Sequence, residues 1–468
     1  MSMGGTGYGV QYAGEYTLKK LQLTTADGQK SIDLTGITLE INIFENIFLN
    51  AISASLMVVD TADLINNIGI YGQEFVELEI ETPSLDDYAI KQTFSVYKIG
   101  AREDANAGAS IYELSLALVY ADSPFLPENP LKLSILTPPI ESAGTRIYEL
   151  SLVSPEFMLN HRRRISKSYN GNISTIVKDA LTNDLYVQTE KELFIEPTKG
   201  VRNIVSPNLH PYMLIQNLAL EAQSATSASP HYLFFENLRG FWFISLQELY
   251  NQDTIGVYNA TQAGELLDNK TIDIQSQLEA VINYNITGNN DTLMNIKSGM
   301  LGSTIITHDI YNKSYNKNTY GYFSDFEKHG RIDTKPIYSN ERGIGNFPDS
   351  RIFVNPTSTT TDFQDAQHYG QSSVTSNQLS ETLLHRKARF AELVGGIKVQ
   401  MRVNGTTTLN AGQKIVFDKP ANSEFGNRLD PDYQGEFLVT QTRHIFTQVE
   451  KKHEIIFSAV KDAVPQQQ

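Results

Sequence analysis

Apolar and polar residues alternate one by one in several stretches of this chain. In residues 37–43 the apolar positions are all isoleucine or leucine, and the positions between them are polar. The same period recurs in residues 76–81, where every second residue is glutamate, and in residues 397–403. A period of two places one side of a strand in a core and the other side in solvent. These stretches therefore predict half-buried β-strands, with the glutamates on a solvated face.

A longer pattern occurs near both ends of the chain. Residues 94–122 and 437–462 each contain an apolar strand, a polar turn, a second apolar strand and a closing aspartate. Because their identity is low, the match rests on pattern and length, and it predicts a duplicated β unit within one chain. The hexapeptide IYELSL also occurs twice, at 111–116 and 147–152. We interpret it as two amphipathic strands that use the same residues, rather than as a third copy.

Other segments have the signals of helices. Residues 62–68 predict a short helix with Asp60 or Thr61 as its N-cap, and residues 174–181 predict a second helix. Residues 211–225 predict the clearest helix, since a proline begins it and apolar residues recur at helical spacing. The further predicted elements are an aromatic hairpin at 231–246, strands from about 272, at 304–311, 397–403 and 415–417, a helix beginning at Asp291 and a short helix at 383–393.

The expected fold class is α+β, mainly β, with two tube-like antiparallel β-barrel or sandwich domains and a mixed α/β middle domain. A cluster of five prolines within 124–139 predicts an extended boundary segment. The predicted segments are a flexible N-terminus at 1–15, the first tube-like domain at 16–123, the middle domain at 124–270, the second tube-like domain in two parts at 271–314 and 381–463, a loop-rich insertion at 315–380 between those parts, and a tail at 464–468.

Composition and charge narrow the function. A chain of 468 residues can bury several cores. Its net charge of −15 is spread along the chain, which disfavours a protein that grips nucleic acid but allows DNA to pass nearby. The absence of cysteine excludes disulfides and thiolate metal sites and fits assembly in a reducing cytoplasm. No signal peptide and no apolar run of about 18 residues is recognisable, so we expect no membrane anchor.

Residues with catalytic or metal-binding chemistry are scattered. His308, His444 and His453 lack a ligand spacing such as HExxH, so we interpret them as strand or surface residues. The basic run HRRR at 161–164, followed by Lys167, is interpreted as an interface patch for an acidic partner or subunit rather than as a phosphate site.

The remaining motifs carry no recognisable chemistry. Paired carboxylates at 86–87 and 103–104 fall in predicted turns, where solvation explains them. The glycines within 4–9 lack the strand and helix that flank a nucleotide-binding loop. There is no GxSxG and no kinase-like set of motifs. We therefore predict no catalytic residue, no cofactor, no metal site and no enzymatic activity.

Four stretches, in their order along the chain, resemble one family, the baseplate hub protein of contractile-tailed, T-even-type bacteriophages. Residues 44–80 begin with FENIF and resemble the family's first tube-like domain. Residues 232–249 contain FENLRGFWF and resemble its central aromatic hairpin. Residues 298–315 and 432–462 resemble a Gly-Ser…Asn-Lys stretch and the last hairpin of the family. The insertion at 315–380 and the N-terminal tail have no counterpart in the family pattern.

The resemblance implies a homotrimer with two tube-like β domains per chain, so that six domains form a pseudohexameric ring continuous with the tail tube. It implies a central spike protein below the ring, tail tube and tape-measure proteins above it, and baseplate wedge proteins as further partners. DNA would pass through the bore without specific binding. The expected location is the tail baseplate of the virion, assembled in the host cytoplasm. The family has no active site in this subunit. We expect the trimer to bury more than about 2,000 Å².

Two alternative functions are weighed against the phage hub. The first is the hub of a type VI secretion or pyocin-like spike. Such spikes often carry a fused β-helical needle, and the last residues here, KDAVPQQQ, contain none. The second is a β-rich carbohydrate-active enzyme that uses two carboxylates. The single tryptophan disfavours it, because tryptophan is a common sugar-stacking residue.

Overall fold

A computed structural model describes residues 12–465, except 84–87, 105–145, 228, 261–273, 287–290, 310–312, 329, 341–342, 344–347, 358–375, 421–429 and 431–432. The structure is mostly β and contains one large curled sheet, as the alternating pattern predicts. The predicted strand at 111–122, the proline-rich boundary, the carboxylates at 86–87 and the glycines within 4–9 lie outside the described residues.

Twenty-three strands are formed by the described residues. The first twelve are β1 (Thr17–Thr24), β2 (Ser31–Asp33), β3 (Thr38–Asn46), β4 (Ser53–Asp60), β5 (Phe75–Glu81), β6 (Ile90–Asp104), β7 (Arg146–Val153), β8 (Ile165–Gly171), β9 (Leu193–Ile195), β10 (Arg202–Leu209), β11 (Tyr232–Asn237) and β12 (Gly240–Ser245). The others are β13 (Thr254–Asn259), β14 (Val281–Ile286), β15 (Gly302–Asp309), β16 (Ser314–Gly321), β17 (Lys335–Pro336), β18 (Ile352–Thr357), β19 (Ile397–Asn404), β20 (Lys414–Asp418), β21 (Gly435–Thr447), β22 (Lys452–Lys461) and β23 (Ala463–Val464).

The described residues form seven α-helices, of which four lie where the sequence predicted a helix and three, at 155–162, 246–251 and 274–279, were not predicted. They are α1 (Pro155–Arg162), α2 (Ile173–Thr182), α3 (Pro211–Glu221), α4 (Leu246–Asn251), α5 (Ile274–Glu279), α6 (Thr292–Ser298) and α7 (Ser376–Gly395), with a π-helical turn at Ile65–Gly69 and short 3-10 turns at Phe326–Lys328 and Pro348–Ser350. Asp291 caps α6 by accepting a hydrogen bond from the Met294 amide at 2.9 Å. Asp60 accepts hydrogen bonds from the amides of Ala62 and Leu64 just before the π-helical turn, whose N-cap is Leu64 and not the predicted Asp60 or Thr61. Helix α7 extends the helix predicted at 383–393 at its N-terminal end.

Thirteen strands form one sheet that runs through both ends of the chain. Its order is β14-β19-β22-β21-β3-β4-β7-β6-β5-β1-β2, with β20 beside β21 and β13 beside β20. Strands β1 to β7 make a first β unit around one apolar core, which includes Ile43, Leu56 and Phe94. Strands β13, β14 and β19 to β22 make a second β unit around another core, which includes Met401, Phe437 and Phe457.

Strand β7 corrects one prediction. It contains the second IYELSL hexapeptide and pairs with both β4 and β6. The predicted division at 123 placed this segment in the middle domain, whereas it completes the first β unit. Alternation within one strand shows which residues face a core but does not show which strand lies beside it, so the sequence could not assign β7 to β6.

The region from α1 to α4 packs around its own apolar core, which includes Ile176, Leu218 and Phe243. The aromatic hairpin β11–β12 is buried on both faces. One face points into this core, and the other packs through Phe235 and Trp242 against Leu438 and Val460 of the second β unit. The hairpin therefore links this region to the large sheet.

The predicted loop-rich insertion contains strands. Strands β16 and β18 pair with opposite edges of β15 in a separate three-stranded sheet. Strand β16 escaped the sequence analysis because residues SYNKNTYG are mostly polar on both faces, as suits the edge of a small sheet. Helix α5 also precedes β14, where only a strand was predicted.

Candidate assembly interface

The two β units repeat the same arrangement of five strands. In the first unit, β3 to β7 lie in the order β3-β4-β7-β6-β5, and in the second, β14 and β19 to β22 lie in the order β14-β19-β22-β21-β20. If the five strands of each unit are numbered in chain order, both sheets have the spatial order first, second, fifth, fourth, third. The first and second strands are separated by six residues in the first unit, and in the second unit the segment between them carries α6, β15 to β18 and α7.

The pairing register of the two units also agrees residue by residue. In the first unit a cross-strand row joins Ile43, Ala54, Leu152 and Val96. The matching row in the second unit joins Ile286, Val399, Ala459 and Val439. Each of these eight residues is the counterpart of one in the other unit, so the two units are copies of one structure.

Irregularities of pairing fall at matching positions as well. A β-bulge follows Val96 in the first unit, and another follows its counterpart Val439. The first strands carry matching bulges at Leu39 and Ile282. Bulges disrupt the ladder and bend a strand, so chance agreement at two places is improbable. In this repeat β7 is the counterpart of β22, since it pairs with β6 as β22 pairs with β21.

The two units are joined edge to edge within the chain. Strand β21 of the second unit pairs antiparallel with β3 of the first unit, from Gln441 opposite Asn46 to Thr447 opposite Glu40. A further amide–carbonyl hydrogen bond closes each end, from Ile47 to Thr440 at 3.0 Å and from Gln448 to Leu39 at 2.9 Å. We call this pairing the internal joint.

Two segments with the sequence Phe-Glu-Asn, residues 44–46 and 235–237, connect the internal joint to the region from α1 to α4. We call them the FEN segments. Glu45 of FENIF accepts hydrogen bonds at 2.7 Å from the amides of Leu238 and Ala411 and from the Thr442 hydroxyl. Glu236 of FENLR accepts from the Ile52 amide at 3.2 Å and pairs with Lys191 at 2.6 Å. Each glutamate thus binds the loop that follows the other segment.

The two FEN segments share their backbone geometry too. Asn46 and Asn237 each accept a hydrogen bond from the amide two residues later, which tightens the following turn. Burial raises the pKa of Glu45 to about 7, against the lowering effect of its three donors. In the β11–β12 hairpin, Gly240 has a φ of +145°, and a Cβ there would lie 2.2 Å from the Glu192 carbonyl oxygen. Sequence reasoning found both motifs but not their contact.

The sheet face opposite the two cores is continuous across the internal joint. We call it the common face, and it carries mainly polar residues, among them Gln400, Ser458, Gln441, Asn42, Ser55 and Ser151. Two of its arginines lie close to carboxylates. Arg402 contacts Glu454, and Arg443 donates to Asn42 at 3.0 Å and lies 3.6 Å from Glu40. Burial raises the pKa of Glu40, which Glu149 and Glu454 raise further.

A small cavity opens where the internal joint meets the common face. Its volume is about 230 Å³, and its lining includes Phe44, Leu49 and Ile456. This volume is below the range of about 300–1,000 Å³ that is usual for small-molecule sites.

His444 and His453 meet beside the internal joint. Their Nδ1 and Nε2 atoms lie 3.1 Å apart, and both side chains are fully buried. Burial lowers the pKa of His444 to about 4 and lowers the pKa of His453 well below its ordinary value. A Cβ at Gly405 would lie 2.2 Å from the His453 ring. The pair is thus held neutral and tightly packed, and the surface alternative expected for these residues is wrong.

A buried ion-pair cluster fixes the inserted segment of the second unit. Arg389 of α7 contacts Glu392 and lies 2.8 Å from Asp462, while Arg331 lies 2.6 Å from Glu392. Asp462 also accepts from the Ile332 amide at 3.2 Å. The closing aspartate of the sequence repeat therefore anchors the insertion, a role that no spacing signal indicated.

The other candidate residues named from the sequence make contacts within their own region or lie on other strands. Arg163 and Arg164 of the basic run donate to the carbonyls of Tyr186 and Asn208 at 2.9 and 3.0 Å. Lys167 pairs with Asp179 at 3.1 Å. His308 is exposed on β15. The carboxylates at 103–104 belong to β6 and not to a turn, which corrects that prediction.

Among the described residues, no group of three or more His, Cys, Asp or Glu side chains is arranged to hold a metal ion. No helix among them has the length and apolar character needed to cross a membrane.

Comparison with known proteins gives fold likeness alone. No protein-family model and no curated protein sequence matches. A tail protein from Neisseria meningitidis MC58 aligns with 96% of this chain and 97% of its own, at 10% identity and a TM-score of 0.49. The 43 kDa tail protein of prophage MuSo2 from Shewanella oneidensis aligns with 95% and 99%, at 10% identity and 0.49.

A third solved structure, the E. coli c3393 component of the type VI secretion system, aligns with 96% of this chain and 76% of its own, at 9% identity and a TM-score of 0.41. The similar structures are thus tail and secretion-system proteins. Because each TM-score lies below 0.5, we base no function on these likenesses.

Proposed function

We propose that this chain is a structural subunit of a phage-type tail baseplate hub. Three copies form a ring in which the six β units occupy similar positions around a central bore. The ring adapts a threefold central spike on one side to the sixfold tail tube on the other, and the bore lets DNA pass without specific binding. The observation that carries this proposal is the register-matched pair of β units joined edge to edge.

The internal joint supplies the geometry that a ring needs. It places two equivalent units side by side in one sheet, with their cores on one side and the common face on the other. Repeating this placement between chains continues the common face around a closed wall. The carboxylates beside Arg402 and Arg443 suit a bore, since a free basic stripe would bind phosphates tightly.

Strand spacing favours three chains over two. Eight consecutive strands, from β14 to β6, form the wall contributed by one chain. With strands about 4.8 Å apart, a closed ring of two chains would measure roughly 24 Å across between backbones, and a ring of three roughly 37 Å, before strand tilt widens it. Side chains take about 5 Å from each wall. The smaller ring would leave little room for a DNA duplex, whereas the larger one admits it.

Further partners follow from the same proposal. The tail tube and tape-measure proteins meet the sixfold side, and baseplate wedge proteins surround the ring. The described cavity and charge clusters support a structural role without enzymatic activity, in the virion tail after assembly in the host cytoplasm.

Electron microscopy of the purified full-length chain tests the proposal. We expect top views with six similar lobes around an opening of roughly 30 Å or more. Images that show a solid particle, or a ring with two or four lobes, would contradict it.

A further inference from the structure

We propose that the ring closes through a second edge-to-edge joint, in which the end of β6 pairs with β14 of the next copy. We call it the closing joint. It rests on the proposed ring and specifies which strand edges make it.

The internal joint identifies both edges. It pairs the fourth strand of the second unit, β21, with the first strand of the first unit, β3. The counterpart of β21 is β6, and the counterpart of β3 is β14. In the part of the chain that the structure describes, no strand pairs with the outer edge of residues 98–104 of β6 or of residues 281–286 of β14. The two edges end the eight-strand wall, so they face successive copies and not each other.

The side chains of these two edge strands are more exposed to solvent than those of their counterparts. Strand β3 is largely buried, whereas β14 is exposed over residues 282–285. Tyr284 is 37% exposed, while its counterpart Ile41 is fully buried. Tyr97 of β6 is 51% exposed, while its counterpart Thr440 is buried. Unpaired edges with aromatic residues promote uncontrolled association unless a partner covers them.

The register of the closing joint follows from the repeat. In the internal joint, Ile445 lies opposite Asn42 and Phe446 lies opposite Ile41. Strand β6 has one extra residue between Gly100 and Glu103, so Glu103 is the counterpart of Ile445 through its pairing with Ile147 of β7. The closing joint therefore places Glu103 opposite Asn285, and Asp104 opposite Tyr284, of the next copy.

The occupant of each edge is a second copy of this chain. A contact between two different edges is head-to-tail, and it forms a closed ring if the rotation per copy divides a full turn. The internal joint already sets the rotation between neighbouring units. Equal rotation at the closing joint gives alternating first and second units around the ring.

Disulfide cross-linking tests the closing joint, because the native chain has no cysteine. In the Glu103→Cys, Asn285→Cys double variant, the opposing Cα atoms would lie about 4.5–5.5 Å apart, within the range of a disulfide. We expect mild oxidation to convert most of the protein into covalent dimers and trimers on a non-reducing gel. Each single variant should stay at the mass of one chain.

A matched control uses the internal joint. Gln441→Cys with Asn46→Cys, which lie opposite each other within one chain, should give an intrachain disulfide and no increase in mass. A further variant pairs Glu103→Cys with Ser115→Cys, because residues 105–145 of the same chain are another candidate to cover the β6 edge.

The outcomes separate the closing joint from the proposed function. If light scattering gives a trimer but the Glu103→Cys, Asn285→Cys variant does not cross-link, the proposed ring is retained and the closing joint is refuted. Cross-linking between 103 and 115 within one chain also overturns it. A chain that stays monomeric at micromolar concentration refutes both.

Discussion

Strands β3 and β14 are the same element in two copies of one unit, yet their surroundings differ. Both pair with the second strand of their own unit in the same register, and both carry a bulge at the same place. Strand β3 also has β21 on its other edge and is largely buried, whereas β14 is exposed along most of its length. Burial of this strand therefore depends on a neighbouring unit, and the proposed closing joint would supply that neighbour to the exposed copy.

The largest expected effect on stability concerns Glu45, which anchors the buried strand β3 through three hydrogen bonds. Glu45→Ala leaves two buried donors and one half-buried donor without an acceptor, and a buried loss costs about 1–3 kcal/mol. We expect the free energy of unfolding to fall by about 4 kcal/mol. Urea titration followed by fluorescence of Trp242, the single tryptophan, measures it beside the internal joint.

The control for Glu45 is Glu77→Ala. Glu77 belongs to the predicted solvated glutamate row and pairs with Lys20 at the surface. An exposed pair of this kind contributes under about 1 kcal/mol. Equal losses in the two variants would show that the Glu45 contacts do not hold the joint.

The next effect concerns the insertion that distinguishes the second unit from the first. Arg389→Leu removes a buried guanidinium from between Glu392 and Asp462. Because two buried carboxylates then lose a partner, we expect a loss of roughly 3–4 kcal/mol. Differential scanning calorimetry should show a lower melting temperature. A change of less than 1 °C would mean that the cluster does not anchor the insertion.

Truncation of counterpart residues tests the comparison of strands directly. Ile41→Ala removes a fully buried side chain and should cost about 3 kcal/mol. Tyr284→Ala removes a partly exposed one and should cost about 1 kcal/mol in the isolated chain. Urea titration at low protein concentration, where chains are separate, compares them. Equal costs would contradict the difference in burial.

A pH dependence of about the same size as the difference between those two variants is expected from a buried histidine. The folded pKa of His444 is lowered to about 4, so the unfolded chain binds more protons below its ordinary pKa of about 6.5. Stability is therefore fully present above that pKa and is lost as the pH falls. We expect the free energy of unfolding to drop by about 2 kcal/mol between pH 7 and 5 from this group alone.

The matched variants for the pH dependence are His444→Gln and His308→Gln. His308 is exposed, so its replacement should leave the slope of stability against pH unchanged. The buried variant should flatten that slope. A steep slope that persists in His444→Gln would assign the acid sensitivity to other groups.

The sequence revealed the strands with strict alternation and the helices α2, α3, α6 and α7, since those signals are local. It did not reveal α1, α4 or α5, although Ser245 caps α4 by accepting a hydrogen bond from the Glu248 amide. Strand β16 was missed because its residues have no apolar face, and β7 was placed in the wrong region because periodicity does not identify a partner strand. The repeat was visible as a pattern, but its true extent depends on registers between strands far apart in the chain. The contact between Glu45 and the Leu238 amide spans 193 residues, which no local signal can indicate.

The mass of the full-length chain in solution tests the central claim most directly. Light scattering coupled to size-exclusion chromatography, at micromolar concentration, should give a particle of about 157 kDa, three times the 52.3 kDa of one chain. A particle of 52 kDa would contradict assembly through the exposed edges. A particle of six chains would contradict the account of the duplication, because each chain would then fill one position in the ring and not two.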